Sequence, residues 1–316
     1  MPMVERVELV EVSPRDGLQN EKAILEAATK VELIARARKA GLRRIEATSF
    51  VNPKKVPQMA DADRVYAEAA RVEASGLSVL ALNVRGVERA LLAGAREINY
   101  VFVATDAFSI RNNGATTADT LAAWLQVVEL TRSRGAQLGA VIGAAFGCPF
   151  EGEVPETRLG TIAEQLAAAA PDELTLADTI GVGVPGEVRS RFKLMGSIMG
   201  PRVRLRAHFH NTRNTGVANA LAAYEVGVGV LDASLGGIGG CPFAPNAAGN
   251  VATEDLGYLF ERMGVKTGLD LDAAIDAARW ITAQIDRPAT GMVSRAGGFP
   301  KSQTDKPTLK SARNSK

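Results

Sequence analysis

Short apolar runs alternate with amphipathic stretches along most of the chain. The runs near residues 4–12, 42–47, 77–82, 97–103, 138–145, 173–177, 203–209 and 229–234 are rich in Val, Ile and Leu. That composition suits strands buried on both faces. Between them apolar residues recur at helical spacing, as do Ile24, Val31 and Ile34 within 23–40, where Gly41 is a natural stop. Pro155 and Pro185 suit the first turns of two further helices, and Thr116 or Thr117 can cap the helix carrying Trp124 and Leu125. Strand and helix alternating eight times predicts an α/β fold, a (β/α)₈ TIM barrel in one domain over residues 1–290. Helices at 251–263 and 271–285 then close the barrel or pack across its outside. A doubly wound sheet shows the same alternation. No linker divides the chain, and no internal repeat is present. Residues 291–316 are polar and aperiodic and read as a flexible C-terminal tail.

Composition narrows the classes. Of 316 residues, 46% are hydrophobic and 23% charged, ordinary for a soluble globular protein. The formal net charge of +2 gives no bulk attraction to nucleic acid or to a membrane surface. No apolar run reaches the roughly 18 residues that span a bilayer. The first residues, MPMVERVELVEV, read as neither a signal peptide nor a transit peptide. Two distant cysteines, Cys148 and Cys241, are no disulfide framework, so a reduced cytoplasmic location is expected.

A barrel carries its chemistry at the C-terminal ends of its strands. Five strand ends hold polar residues foreign to a core. After the first strand, Arg15 and Asp16 set a cation beside an anionic oxygen ligand; Pro14 and Gly17 also allow a plain turn. At the end of the second, Glu46 points into the barrel mouth if Ile45 faces the helices, with Arg15 its natural partner; an exposed strand-end carboxylate is the alternative. At the end of the seventh lie His208 and His210, the only histidines. Two apart on a strand, they share a face and can chelate one metal, whereas core histidines would each need a buried partner. The loop after the eighth strand reads GGIGGCPFA and leads to Asn250. Cys241 there is either an acid brought in when a glycine flap closes or an incidental cysteine. Asn250 is either a helix N-cap or an amide-oxygen ligand. Asp178, ending the sixth strand, binds substrate or orients a histidine, while Cys148 reads as a packing residue. A carboxylate, two imidazoles and an amide suit Mg²⁺, Mn²⁺ or another octahedral divalent ion, not a structural zinc site.

The segments VSPRDGLQNEK, IEATSFVNPKKVPQMAD, GCPFEG, ADTIGVGVPG, HFHNT and GGIGGCPFAPNAAGNVATEDL, in this order, resemble the 3-hydroxy-3-methylglutaryl-CoA lyase family from about residue 4 to about residue 285. The resemblance implies a metal-dependent carbon–carbon lyase acting on an acyl-CoA thioester, with Mg²⁺ or Mn²⁺ and a homodimeric assembly. It puts the metal ligands on Asp16, His208, His210 and Asn250. Catalytic roles fall on Arg15, Glu46 and Cys241, with Asp178 as a further candidate, and substrate contacts on Arg15, Gln19 and Ser49. Cleavage to acetyl-CoA and acetoacetate, or the corresponding oxo acid, is the expected reaction.

Two departures bear on the substrate. The family reads HxHDTYGQ after the seventh strand, where this chain has His208-Phe209-His210-Asn211-Thr212-Arg213-Asn214-Thr215. The family's fifth strand carries an arginine, but Leu138 to Ala145 hold no charge. Arg213 is therefore expected to bind the substrate's free carboxylate. Citramalyl-CoA and longer 3-alkyl-3-hydroxyglutaryl-CoA thioesters are alternative substrates. An acetyl-CoA-condensing synthase of the same superfamily is the nearest rival activity, although such enzymes usually add domains beyond the barrel.

Overall fold

A computed structural model describes residues 5–240 and 249–300. Eight strands form where the apolar runs predict them: β1 (Glu8–Glu11), β2 (Arg44–Ser49), β3 (Leu77–Ala81), β4 (Glu97–Val103), β5 (Gln137–Gly143), β6 (Glu173–Asp178), β7 (Arg204–Phe209) and β8 (Val230–Ala233). All pair in parallel in sequence order, and β8 returns to β1 with Glu8 opposite Val230. That closure makes a TIM barrel and excludes the doubly wound sheet.

The helices follow their local signals. Gly41, at φ +91°, ends Ala27–Lys39, a helix that starts four residues later than the periodicity suggests. Thr116 and Asp119 form a reciprocal capping box. The capped helix runs Thr117–Ala122, and Trp124–Ser133 follows as a second helix. Thr253–Arg262 and Leu271–Gln284 close the outer ring. Residues from 291 onward do not all belong to a tail: Met292–Ala296 form a helix in which Ser294 is buried and bonds Glu254. Residues 301–316 lie outside the described residues.

The main core lies between strands and helices, filled by Ile45, Leu33, Phe102, Leu176, Phe209 and Phe260 among others. The barrel interior is different. It holds the small apolar cluster Val10, Val12 and Val230, and Leu80, Val101 and Val141 face the cavity at the mouth. Below the mouth it is crossed by ion pairs: Arg44 binds Glu97 and, at 2.7 Å, Glu173, and Arg206 binds Glu173 at 3.3 Å. Buried charges are tolerated only when paired in this way.

Candidate active site

Beyond β1 the backbone widens into one turn, Ser13–Gly17, closed by the Gly17 amide donating to the Val12 carbonyl at 3.1 Å. An i→i+5 bond of this kind often marks a functional site. Glycine is required at 17, because a Cβ there would stand 2.7 Å from the Ile238 side chain. The turn sets Arg15 and Asp16 against the cavity at the barrel mouth. Arg15 donates through Nη1 to Asp16 at 2.5 Å and through Nε to Glu46 at 2.5 Å. The second Glu46 oxygen accepts from Asn99 at 2.9 Å. Glu46 therefore fixes the guanidinium, as the strand alternation leads one to expect.

Strand β7 places Arg204, Arg206 and His208 at alternate positions, with His210 next in the series. The two imidazoles do share a face: their Nε2 atoms lie 3.9 and 3.6 Å from Asp16 Oδ2, and their rings are 5.2 Å apart. One ligand atom from each of Asp16, His208 and His210 falls within 4.8 Å of the others. Burial alone would raise the Asp16 pKa, but Arg15 and the two histidines hold it well below the usual carboxylate range. Asp16 is thus ready as an anionic ligand.

Asn250 joins this group by backbone pairing with His210 across an isolated antiparallel bridge. Its amide nitrogen donates to Asp16 at 2.8 Å and to the Ile238 carbonyl at 3.1 Å. It caps no helix, since Ala252 occupies the N-cap of Thr253–Arg262. Asn250 Oδ1 and His210 Nδ1 are both buried without a protein partner. Buried polar atoms rarely go unpaired. A carboxylate, two imidazoles and an unused amide oxygen form an oxygen–nitrogen donor set that fits a divalent cation.

The residue that orients His208 is one the sequence reading passed over. Asp232 accepts from His208 Nδ1 at 2.9 Å and from Arg206 Nε at 2.5 Å. A protonated Nδ1 leaves Nε2 free to ligate. Burial would lower the His208 pKa, but the Asp232 bond and the Asp16 charge outweigh it and raise it. An acidic residue inside an apolar strand, and polar residues at every second position of β7, were the available signals. Asp232→Asn is expected to weaken divalent-ion binding about 10–100-fold, the usual scale for such supporting partners. Mn²⁺ titration followed by electron paramagnetic resonance measures this, and an unchanged affinity would remove Asp232 from the site.

Gln19 lines the mouth and accepts from Ser49 at 2.8 Å. Ser49 reaches it because β2 bulges: Glu46 pairs with Ser78 and Thr48 with Val79, leaving Ala47 as the extra residue. The bulge puts Glu46 and Ser49, three apart, on one face. Thr48 turns outward to Met59.

Two expectations fail. Asp178 does not face the mouth. It alternates with Ala177 and Thr179, which line the cavity, and its oxygens accept from the amides of Val182 and Gly183 at 2.9 and 3.0 Å. Burial raises its pKa, partly offset by those amides. It holds the loop after β6, and orienting a histidine falls to Asp232 instead. Arg213 also lies outside the cavity lining; it is exposed and donates to the carbonyls of Ile180 and Gly181 at 3.1 and 3.0 Å. Of the interior cations Arg44 and Arg206, neither singled out in the sequence, Arg206 is the one that lines the cavity. Cys148 is buried and accepts from Thr105 at 3.0 Å, consistent with packing. Cys241 lies outside the described residues. The loop leading to it lines the mouth at Gly240, whose carbonyl accepts from Asn20 at 2.9 Å.

Comparison with known proteins places the chain in one family. The profile of the HMGL-like family matches residues 6–281. An (R)-citramalyl-CoA lyase from Chloroflexus aurantiacus is 46% identical over 93% of this chain and 96% of its own. A 3-hydroxy-3-isohexenylglutaryl-CoA/hydroxymethylglutaryl-CoA lyase from Pseudomonas aeruginosa is 38% identical over 94% and 98%. The structure of an HMG-CoA lyase from Acinetobacter baumannii, in complex with coenzyme A and 3-methylmalate, is 37% identical, with a TM-score of 0.88 over 94% of this chain and 98% of that one. Sequence, barrel and site therefore converge: this chain belongs to the HMGL-like family and is a carbon–carbon lyase.

Proposed function

We propose that the protein cleaves 3-hydroxy-3-methylglutaryl-CoA, or a close 3-hydroxyacyl-CoA relative, to acetyl-CoA and acetoacetate or the matching oxo acid. The observation that carries this reading is the convergence of Asp16, His208 and His210 within 4.8 Å, beside Arg15. Asp16, His208, His210 and Asn250 would hold Mg²⁺ or Mn²⁺. Bound there, such an ion would act as a Lewis acid and ease loss of the substrate hydroxyl proton.

The chain's own residues divide the remaining work. A base in the mouth takes the hydroxyl proton as the C2–C3 bond breaks. The oxygen becomes a ketone, and the bonding pair passes to C2 as the thioester enolate. Arg15, its guanidinium fixed by Glu46, offsets the charge that develops on the enolate oxygen. The Cys241 thiol then gives its proton to C2, completing acetyl-CoA. Gln19 and Ser49 act as polar contacts for the acyl portion. Support for the cysteine is the position of Gly240, next in the chain, at the mouth.

A citramalyl-CoA substrate is the second reading. The 46%-identical relative favours it, as does the uncharged inner face of β5, where Gly139, Val141 and Gly143 stand. The reading extends to a homodimer working in the cytoplasm. Among the described residues no helix is long and apolar enough to cross a membrane.

A panel of hydroxyacyl-CoA thioesters, assayed for acetyl-CoA release with Mg²⁺ and with chelator, tests the proposal. Release from at least one member, lost with chelator, is expected. Failure of every member, or indifference to chelator, overturns it.

A further inference from the structure

The barrel mouth has two unlike halves. Every ionisable group among its described lining residues comes from one side: Arg15, Asp16 and Glu46 from β1 and β2, and Arg206, His208, His210 and Asp232 from the run of β7 and β8. Strands β3 to β5 supply the facing wall, made of Leu80, Leu82, Val101, Val103, Val141 and Gly143, and the segment after β4 adds Phe108 and the uncharged amide of Asn112. Both lining arginines are already committed, Arg15 to Asp16 and Glu46, and Arg206 to Asp232 and Glu173.

Gly143 leaves a notch in that wall. A Cβ built there meets nothing nearer than the Phe102 carbonyl at 3.5 Å, so the glycine answers no close backbone approach. The cavity measures about 130 Å³.

This asymmetry sorts the groups on the substrate's carbinol carbon. A carboxylate turned towards β3–β5 would be desolvated with no cation among the described residues of that wall to meet it, which is strongly unfavourable. An alkyl group there displaces water from apolar surface and is favoured. We propose that the β3–β5 wall, with its notch at Gly143, is the subsite for an uncharged branch on the carbinol carbon, and that it accepts branches longer than methyl. The inference rests on the lyase reading above and assigns the residues that set its substrate range.

The test uses coenzyme A thioesters whose carbinol carbon carries a hydroxyl, an acid arm (carboxylate or, as in 3-hydroxy-3-methylglutaryl-CoA, carboxymethyl) and a variable branch: methyl, ethyl, propyl or an added carboxymethyl. Acetyl-CoA release gives kcat/KM for each. Ethyl and propyl are expected to match or exceed methyl, by up to about fourfold per methylene, the equivalent of ~0.8 kcal/mol per buried CH₂. The added carboxymethyl is expected to fall by at least about 100-fold, the scale of an unpaired buried charge. Gly143→Leu, which fills the notch, is expected to cut the propyl-to-methyl ratio about tenfold. Gly143→Ala, for which the backbone has room, should shift it in the same direction if the larger variant does not fold. Cleavage of methyl but not ethyl or propyl, or a ratio unmoved in both variants, overturns the subsite while leaving the lyase reading intact. No cleavage of any member, methyl included, overturns both.

Discussion

His210→Ala is expected to abolish divalent-ion binding at millimolar metal, and acetyl-CoA release with it, while the barrel stays folded. His210 is buried, its Nε2 lies 3.6 Å from Asp16, and its Nδ1 has no protein partner. Nothing else among the described residues leans on that ring through a hydrogen bond, so the damage stays local. Loss of a supporting partner already costs about 10–100-fold in metal affinity, and loss of a ligand costs at least as much. Thermal unfolding supplies a readout independent of turnover. A ligand bound only by the native state adds about 4 kcal/mol at a thousandfold excess over its dissociation constant. Wild type should therefore gain several degrees with saturating Mg²⁺ or Mn²⁺, and the variant should gain almost none. The same shift in both proteins would put the metal centre elsewhere. Asp16→Ala is a poorer choice, because it also releases Arg15 and the Asn250 amide from their partner.

Arg15→Lys is expected to lower kcat by about 10²–10³, the cost of removing one donor to a developing oxyanion. Lysine keeps the charge but loses the planar fork that reaches Asp16 and Glu46 together. Arg15→Gln goes further. It leaves two buried carboxylates facing each other's field, a change that costs about 3–5 kcal/mol of stability when one partner of a buried pair is removed. The double variant Arg15→Gln with Glu46→Gln separates the two roles. Neutralising Glu46 removes the stranded charge and should restore much of the stability, but not the turnover. Wild-type kcat in Arg15→Lys, or recovery of activity in the double variant, would show that Arg15 serves only the fold.

Which site residues could be read in advance follows from the length scale of the rule that finds them. Alternation along a strand is local. It put His208 and His210 on one face and Glu46 towards the mouth, and the structure keeps both. Ser49 lies on the Glu46 face only through the bulge at Ala47, which no alternation rule foresees. Asp178 and Thr179 are adjacent and so face opposite sides of β6, and Thr179 takes the inward position. Arg213 sits in a loop, where neither strand nor helix periodicity constrains direction, and a count of charges does not say which way a side chain points.

The chain's own pattern determined that eight buried strands would alternate with helices, their positions to within about four residues, and which strand ends carry unusual polar groups. Those are consequences of local stereochemistry and of burying apolar side chains at a fixed period. Tertiary structure alone decided the partners. Closing β8 onto β1 brought Asp16 to residues almost two hundred positions away, and the parallel register of β7 and β8 set Asp232 behind His208 rather than leaving that task to Asp178. Registers between strands depend on the tilt and stagger that close the barrel, a property of all eight strands together. No window of sequence contains it.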